Sequence, residues 1–178
     1  MKRAVVLALA LGLVGCHVFT RIKPDFSRLP EAAMREVALE IETAIQEGER
    51  EPAIADRDGI VVGTDVIQQA IKQRAARRDL LNAFLDTGHA YEAANGLVMI
   101  LRTREYKKAG TRGDRDRNAL LVMNENADRW AIFEGFVDSS NLSSRACSAI
   151  QDIFHEARVA VMKAGQKYES ESGEVMEK

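Results

Sequence analysis

Cysteine is scarce in this chain, with two residues among 178, at positions 16 and 147. That excludes a framework of disulfides and any cysteine-rich metal site. Histidine is equally thin: His17, His89 and His155 show no metal-ligand spacing, and there is no HExxH. The sequence also has no P-loop, no GxSxG elbow and no GxGxxG, so the common signatures of nucleotide binding and nucleophilic hydrolysis are missing. No cofactor is implied. Positive charge is not in excess, because 25 Lys and Arg stand against 27 Asp and Glu, a balance that does not suggest nucleic acid. Internal repeats are absent, and no apolar run reaches the roughly 20 residues that a spanning helix needs.

The most specific signal lies at the N-terminus. Lys2 and Arg3 form a positive start, Ala4 to Val14 is an apolar run too short to span a bilayer, and Leu13-Val14-Gly15-Cys16 has the form of a bacterial lipobox. Residues 1–15 therefore read as a lipoprotein signal peptide, with lipid attached to Cys16. Several acyl chains there hold a protein stably on a membrane, whereas one alone binds marginally. His17 rather than Asp follows the lipidated cysteine, which points to the outer membrane, facing the periplasm, rather than retention at the inner one. With the signal removed, the 25 basic residues lose Lys2 and Arg3, leaving 23 against 27 acidic and a formal charge of −4. Cys147 then has no partner, and its place at the edge of an apolar face favours a buried, inert thiol.

Residues 16–29 contain Pro24 and no periodicity, as a tether would. From 30 to 168 the pattern predicts one mainly α-helical domain of about four helices with one or two short strands. The first helix runs from about Pro30 to Gly48, with Met34, Val37, Ala38, Ile41, Ala44 and Ile45 on one face and Glu36, Glu40, Glu42 and Glu47 on or near the solvated side. Gly59 to Gly63 reads as a brief strand or packed loop. A second helix covers Asp65 to Leu85, and Leu97 to Leu101 follows an Asn95-Gly96 turn as a short buried strand. Arg102 to Arg117 is strongly polar, with Gly110 and Gly113, and reads as a mobile, solvated loop, with contact of its basic residues with anionic headgroups as the alternative. The central helix spans Asn118 to Val137, and the last starts near Ser143 with a face built from small residues. Residues 169–178, rich in Glu, Ser and Gly, read as a disordered acidic tail.

Two helices carry charges inside apolar arcs. Arg74 and Arg78, with Arg77 at the edge, interrupt Ile67, Ala70, Ile71, Leu81, Phe84 and Leu85; Glu125, Asn126 and Arg129 interrupt Ile132, Phe133, Phe136 and Val137. An isolated buried charge costs several kcal/mol, so the complementary signs predict that the helices face each other. Asn126 and Glu92 or Tyr91 would complete the hydrogen bonds. Two readings stay open: an ion network that fixes helix register, or an arginine excess of Arg74, Arg78 and Arg129 over Glu125 and Glu92 that binds a phosphate or carboxylate. Glu92 or Glu125 in a hydrolase, or His89 beside Tyr91 and Glu92 in acid-base chemistry, is a weaker third.

These residues carry a resemblance. Arg74, Arg77 and Arg78, then Gly88, Glu92 and Gly96-Leu97, then Glu125-Asn126, Arg129 and Phe133 make the segment Arg74 to Arg158 similar to the YdbL-like group of small bacterial envelope proteins, several of which are lipoproteins. The group tends to place a second glycine directly before the glutamate, where this chain has Tyr91. The resemblance implies a non-enzymatic envelope role. It also implies an AsmA-like partner that bridges the two membranes and a small lipoprotein partner, in phospholipid transport and outer-membrane upkeep.

Overall fold

The first helix, α1 (Glu31–Glu47), begins where Pro30 supplies the preset backbone of a helix start. It stops at Gly48, whose φ of 81° closes the end by donating to Ala44 and Ile45. The computed structural model describes residues 29–178, so the expected signal peptide, Cys16 and all of the expected tether except Leu29 lie outside the described residues. Leu29, assigned above to the tether, is buried in the core.

Helix α2 (Asp65–Asp86) starts at Thr64, which accepts a hydrogen bond from Ile67 N, and ends before Gly88 as expected. Between α1 and α2 the run from Gly59 to Gly63 is a packed loop. Ile60 and Val62 are buried, and Val61 exchanges hydrogen bonds with the hydroxyls of Ser139 and Ser140. Strands β1 (Ala90–Glu92) and β2 (Val98–Ile100) pair antiparallel around Asn95 and Gly96, where Gly96 takes a φ of 76°.

The polar stretch from Arg102 to Arg117 is more ordered than its composition suggests. It holds a short helix, α3 (Arg104–Lys108), capped by Thr103, and the opening turns of α4 (Arg112–Ser139). Thr111 and Asp114 form a reciprocal capping box that starts α4 upstream of Asn118, a T-x-x-D signal visible in the sequence. Helix α5 (Ala146–Val161) follows. Beyond it, β3 (Lys167–Glu169) and β4 (Val175–Glu177) form an antiparallel hairpin that adds to β1 in parallel, giving a sheet ordered β2-β1-β3-β4.

The expected disordered tail, 169–178, is thus corrected. Glu169 accepts from Ala94 N through its side chain and meets the His155 ring through its carbonyl, and Gly173 turns the chain at a φ of 83°. Pairing with a strand about 75 residues earlier outweighs a composition that favours disorder. The fold is otherwise the expected mainly helical single domain, with five helices and a small four-stranded sheet among the described residues.

Helices α2 and α4 run antiparallel, and Gly135 makes the close approach. A Cβ there would lie 2.8 Å from Cγ1 of the buried Ile67. Two apolar clusters result. The larger takes Ile67, Ala70 and Ile71 from α2 and Ile132, Phe133 and Phe136 from α4, with the inner faces of α1 and α5. The smaller takes Leu81, Phe84 and Leu85 from α2 and Val122 from α4, under Ala90, Val98 and Tyr106. On both helices the charged residues stand between the two clusters.

Candidate functional site: a buried chain of six charges

Six ionisable side chains form one continuous, alternating series in the layer between the apolar clusters: Glu42, Arg74, Glu125, Arg129, Glu92 and Arg158, none more than 3% exposed. Arg74 grips Glu42 as a fork, with Nη1 to Oε1 at 2.7 Å and Nη2 to Oε2 at 3.0 Å, and its Nε donates to Glu125 Oε1 at 2.8 Å. Arg129 Nε donates to the same Glu125 oxygen at 2.9 Å. Its other nitrogens take Glu92 at 2.5 and 3.1 Å and the Gly96 carbonyl at 3.0 Å. Arg158 closes the series, with Nε on Glu92 Oε1 at 3.0 Å and its terminal nitrogens on Gln46 and Asn82. Five elements, α1, α2, α4, β1 and α5, each contribute at least one charge.

Each charge is there because its helix or strand turns that position inward, and each is tolerable because a partner arrives from another element. Glu92 alternates with Tyr91 along β1 and so faces the helices. Glu125 and Arg129 are one turn apart on α4. Burial pushes the Glu125 carboxyl up, but Arg74 and Arg129 outweigh it and bring the pKa down to about 2. Glu92 is likewise held well below the ordinary carboxylate range, burial being overcome by Arg129 and Arg158. Arg74 and Arg129 are raised, because burial, which favours the neutral form, is outweighed by their glutamates. All four remain charged across the physiological range. A carboxylate fixed in that state neither gives nor takes a proton near neutral pH.

The residues expected in the cluster divide into two groups. Arg74, Glu92, Glu125 and Arg129 come together as the pattern predicted. Arg78 does not join: it is partly exposed, donates to the Gln46 carbonyl at 3.1 Å and pairs with Asp79. Asn126 also stands apart, for its amide accepts from Val98 N at 2.8 Å and donates to Val98 O at 3.0 Å, covering the outer edge of β2 as a neighbouring strand would. Arg77 pairs with Asp128 and lies 3.5 Å from Glu125 Oε2, an oxygen without a hydrogen bond.

Two members were missed. The periodicity of the first helix places Glu42 on or near the solvated side, and that of the last helix leaves Arg158 beside an uninterrupted apolar face. Their addition overturns the supposed arginine excess, since three arginines meet three glutamates and the series is neutral. The space beside it, bordered by Gln46, Arg78, Leu81 and Asn82, is about 10 Å³, room for little more than a water molecule.

Other candidate residues lie elsewhere. His89 packs against the Tyr106 ring, 5.4 Å between centroids, away from the inward-facing Glu92. Cys147 is half-buried, and burial, followed by the nearby Glu134, raises its pKa above the usual thiol value. Among the described residues no group of His, Cys, Asp and Glu is arranged to hold a metal ion, and no helix is long and apolar enough to cross a membrane. Set against known proteins, the chain matches no family model, no curated protein and no solved structure.

Proposed function

We propose that this chain is a lipid-anchored protein of the bacterial envelope that works as an interaction or accessory factor, held through Cys16 on the outer membrane and facing the periplasm. The observation that carries the reading is the lipobox Leu13-Val14-Gly15-Cys16 behind a positive start and a short apolar run. The similarity of Arg74 to Arg158 to the YdbL-like group supports it and suggests the partner's nature: a membrane-bridging protein of AsmA-like type, in phospholipid transport or outer-membrane maintenance. The charged centre agrees with a role in which the surface does the work. Its arginines and carboxylates are occupied with one another, and the exterior is what another component meets.

Mass spectrometry of the N-terminal peptide of protein isolated from membranes tests the anchor. Lipid on Cys16, with residues 1–15 absent, is the expected result, and Cys16→Ala releases the protein from the membrane fraction. An unmodified Cys16, or a mature chain that begins downstream of it, would overturn the reading. Crosslinking in intact cells tests the accessory role: a specific envelope protein should be recovered, and recovery of a bound lipid or glycan alone would instead make the chain a carrier or an enzyme.

A further inference from the structure

A groove of about 540 Å³ runs along the outer side of α1, between Leu39, Thr43 and Glu47 on the helix and Pro52 and Ile54 on the loop that follows it. Its floor is apolar, and Leu39, at 45% exposure, is the one large apolar side chain of α1 that the described residues leave open. Its rim is acidic. Arg57 holds Glu36 and Glu40, and Lys72 holds Glu51. Glu47 and Glu49 are exposed and form no ion pair among the described residues, and Arg50 is the single base between Glu36 and Glu51. The groove therefore suits an apolar segment that carries positive charge.

The chain supplies such a segment next to α1. Before Leu29, outside the described residues, stand Val18, Phe19, Ile22 and Phe26, with Arg21, Lys23 and Arg28 against Asp25. Length permits the contact. At roughly 1.5 Å per residue along the helix, Leu39 lies about 15 Å from Leu29 and Glu47 about 27 Å. An extended chain covers about 3.3 Å per residue, so Ile22 reaches up to about 23 Å from Leu29 and Val18 about 36 Å. A segment already joined to the domain also competes at an effective concentration on the order of millimolar against any free partner.

We propose that the segment from Val18 to Ile22 lies back along α1 in this groove, with its apolar residues over Leu39 and Ala44 and with Arg21 and Lys23 along the acidic rim. Position 16 then emerges beside the C-terminal end of α1. Glu42 pairs with Arg74, and Gln46 meets Arg78 and Asn82, so α1 and α2 run the same way and this end adjoins α3 and the start of α4. Arg102, Arg104, Lys107 and Lys108 are exposed there, against Glu105. On the reading of Cys16 as the lipid anchor, the docked segment turns this basic end to the membrane, where anionic headgroups attract it. The docking itself does not rest on that reading.

The full-length protein in its own membranes, in a Cys147→Ser background, provides the test. Phe19→Cys with Thr43→Cys should give a linked peptide within the monomer band after a short bismaleimide. Phe19→Cys with Arg35→Cys should give about tenfold less, because Arg35 is closer to Leu29 but stands beside Glu156 of α5. Adding Glu47→Lys and Glu49→Lys should cut the first link about tenfold while leaving the melting temperature unchanged, since both residues are exposed. Equal linking at positions 35 and 43 would overturn the docking. So would a link found only at twice the monomer mass or to a different protein. Mass spectrometry of the same peptides reads Cys16, so an intact link beside an unmodified Cys16 removes the anchor and keeps the docking, and lipid on Cys16 with no link does the reverse. For the orientation, brominated phospholipid should quench bimane on Lys107→Cys more than bimane on Val66→Cys, at the other end of α2. Equal quenching, or the opposite order, would overturn it.

Discussion

Arg129 holds Glu92 with both terminal nitrogens, at 2.5 and 3.1 Å, across 37 residues of chain, and through that fork it fastens α4 to the first strand of the sheet. The same guanidinium reaches back one turn to Glu125, which Arg74 of α2 also holds, so the sheet, α4 and α2 are joined through the buried pair Arg129 and Glu125. Removing one member of such a series leaves a buried charge without its partner, which costs about 3–5 kcal/mol. Replacing a surface charge costs far less.

Arg74 and Arg78 make that contrast measurable on one helix. Arg74→Ala should lower unfolding stability by about 3–5 kcal/mol, because the buried Glu42 loses its guanidinium and Glu125 loses one of its two. Arg78→Ala should cost about 1 kcal/mol or less, its pair with Asp79 being solvated. Urea denaturation of both variants checks the order, and equal losses would contradict the division of roles.

Acid should unfold the protein through the same carboxylates. The folded Glu125 pKa, about 2, lies below its ordinary 4.5, so its stabilising contribution is complete above pH 4.5 and disappears as the pH falls through about 2. Glu92 is shifted in the same direction. The melting temperature followed by circular dichroism should therefore fall between pH 4.5 and 2, and Glu125→Gln should flatten that fall while lowering stability at neutral pH.

Gly135→Ala tests the helix packing. Alanine normally improves a helix by up to about 1 kcal/mol, but its Cβ would press on Ile67, which is fully buried and has nowhere to move. A net loss of about 1–3 kcal/mol is expected, measured by the same denaturation.

Much of this centre was legible because helical periodicity places Arg74, Glu125 and Arg129 within apolar arcs, where a solvated role makes no sense. Glu42 and Arg158 were not, since each sits at an arc's margin: Glu42 lies roughly 40° beyond Ala38 on α1, and Arg158 a similar step past Phe154 on α5. Whether a margin is wet or dry depends on how many neighbours a helix packs against, and one helix's sequence does not contain that. Arg78 and Asn126 erred the other way, for arc position cannot tell a charge that turns inward from one that reaches a backbone carbonyl or a strand edge. The hairpin of β3 and β4 was hidden for a related reason, because its order comes from pairing with β1 rather than from its own residues. The T-x-x-D start of α4 at Thr111 was visible, but the glycines around it pointed to a loop.

Glu42→Ala is the most direct test of the buried charge series, because sequence periodicity puts this residue in solvent and the structure puts it against Arg74. Its unfolding free energy, compared with that of the unaltered protein in urea at neutral pH, should fall by about 3–5 kcal/mol. A change below about 1 kcal/mol, the value for an exposed ion pair, would contradict the account.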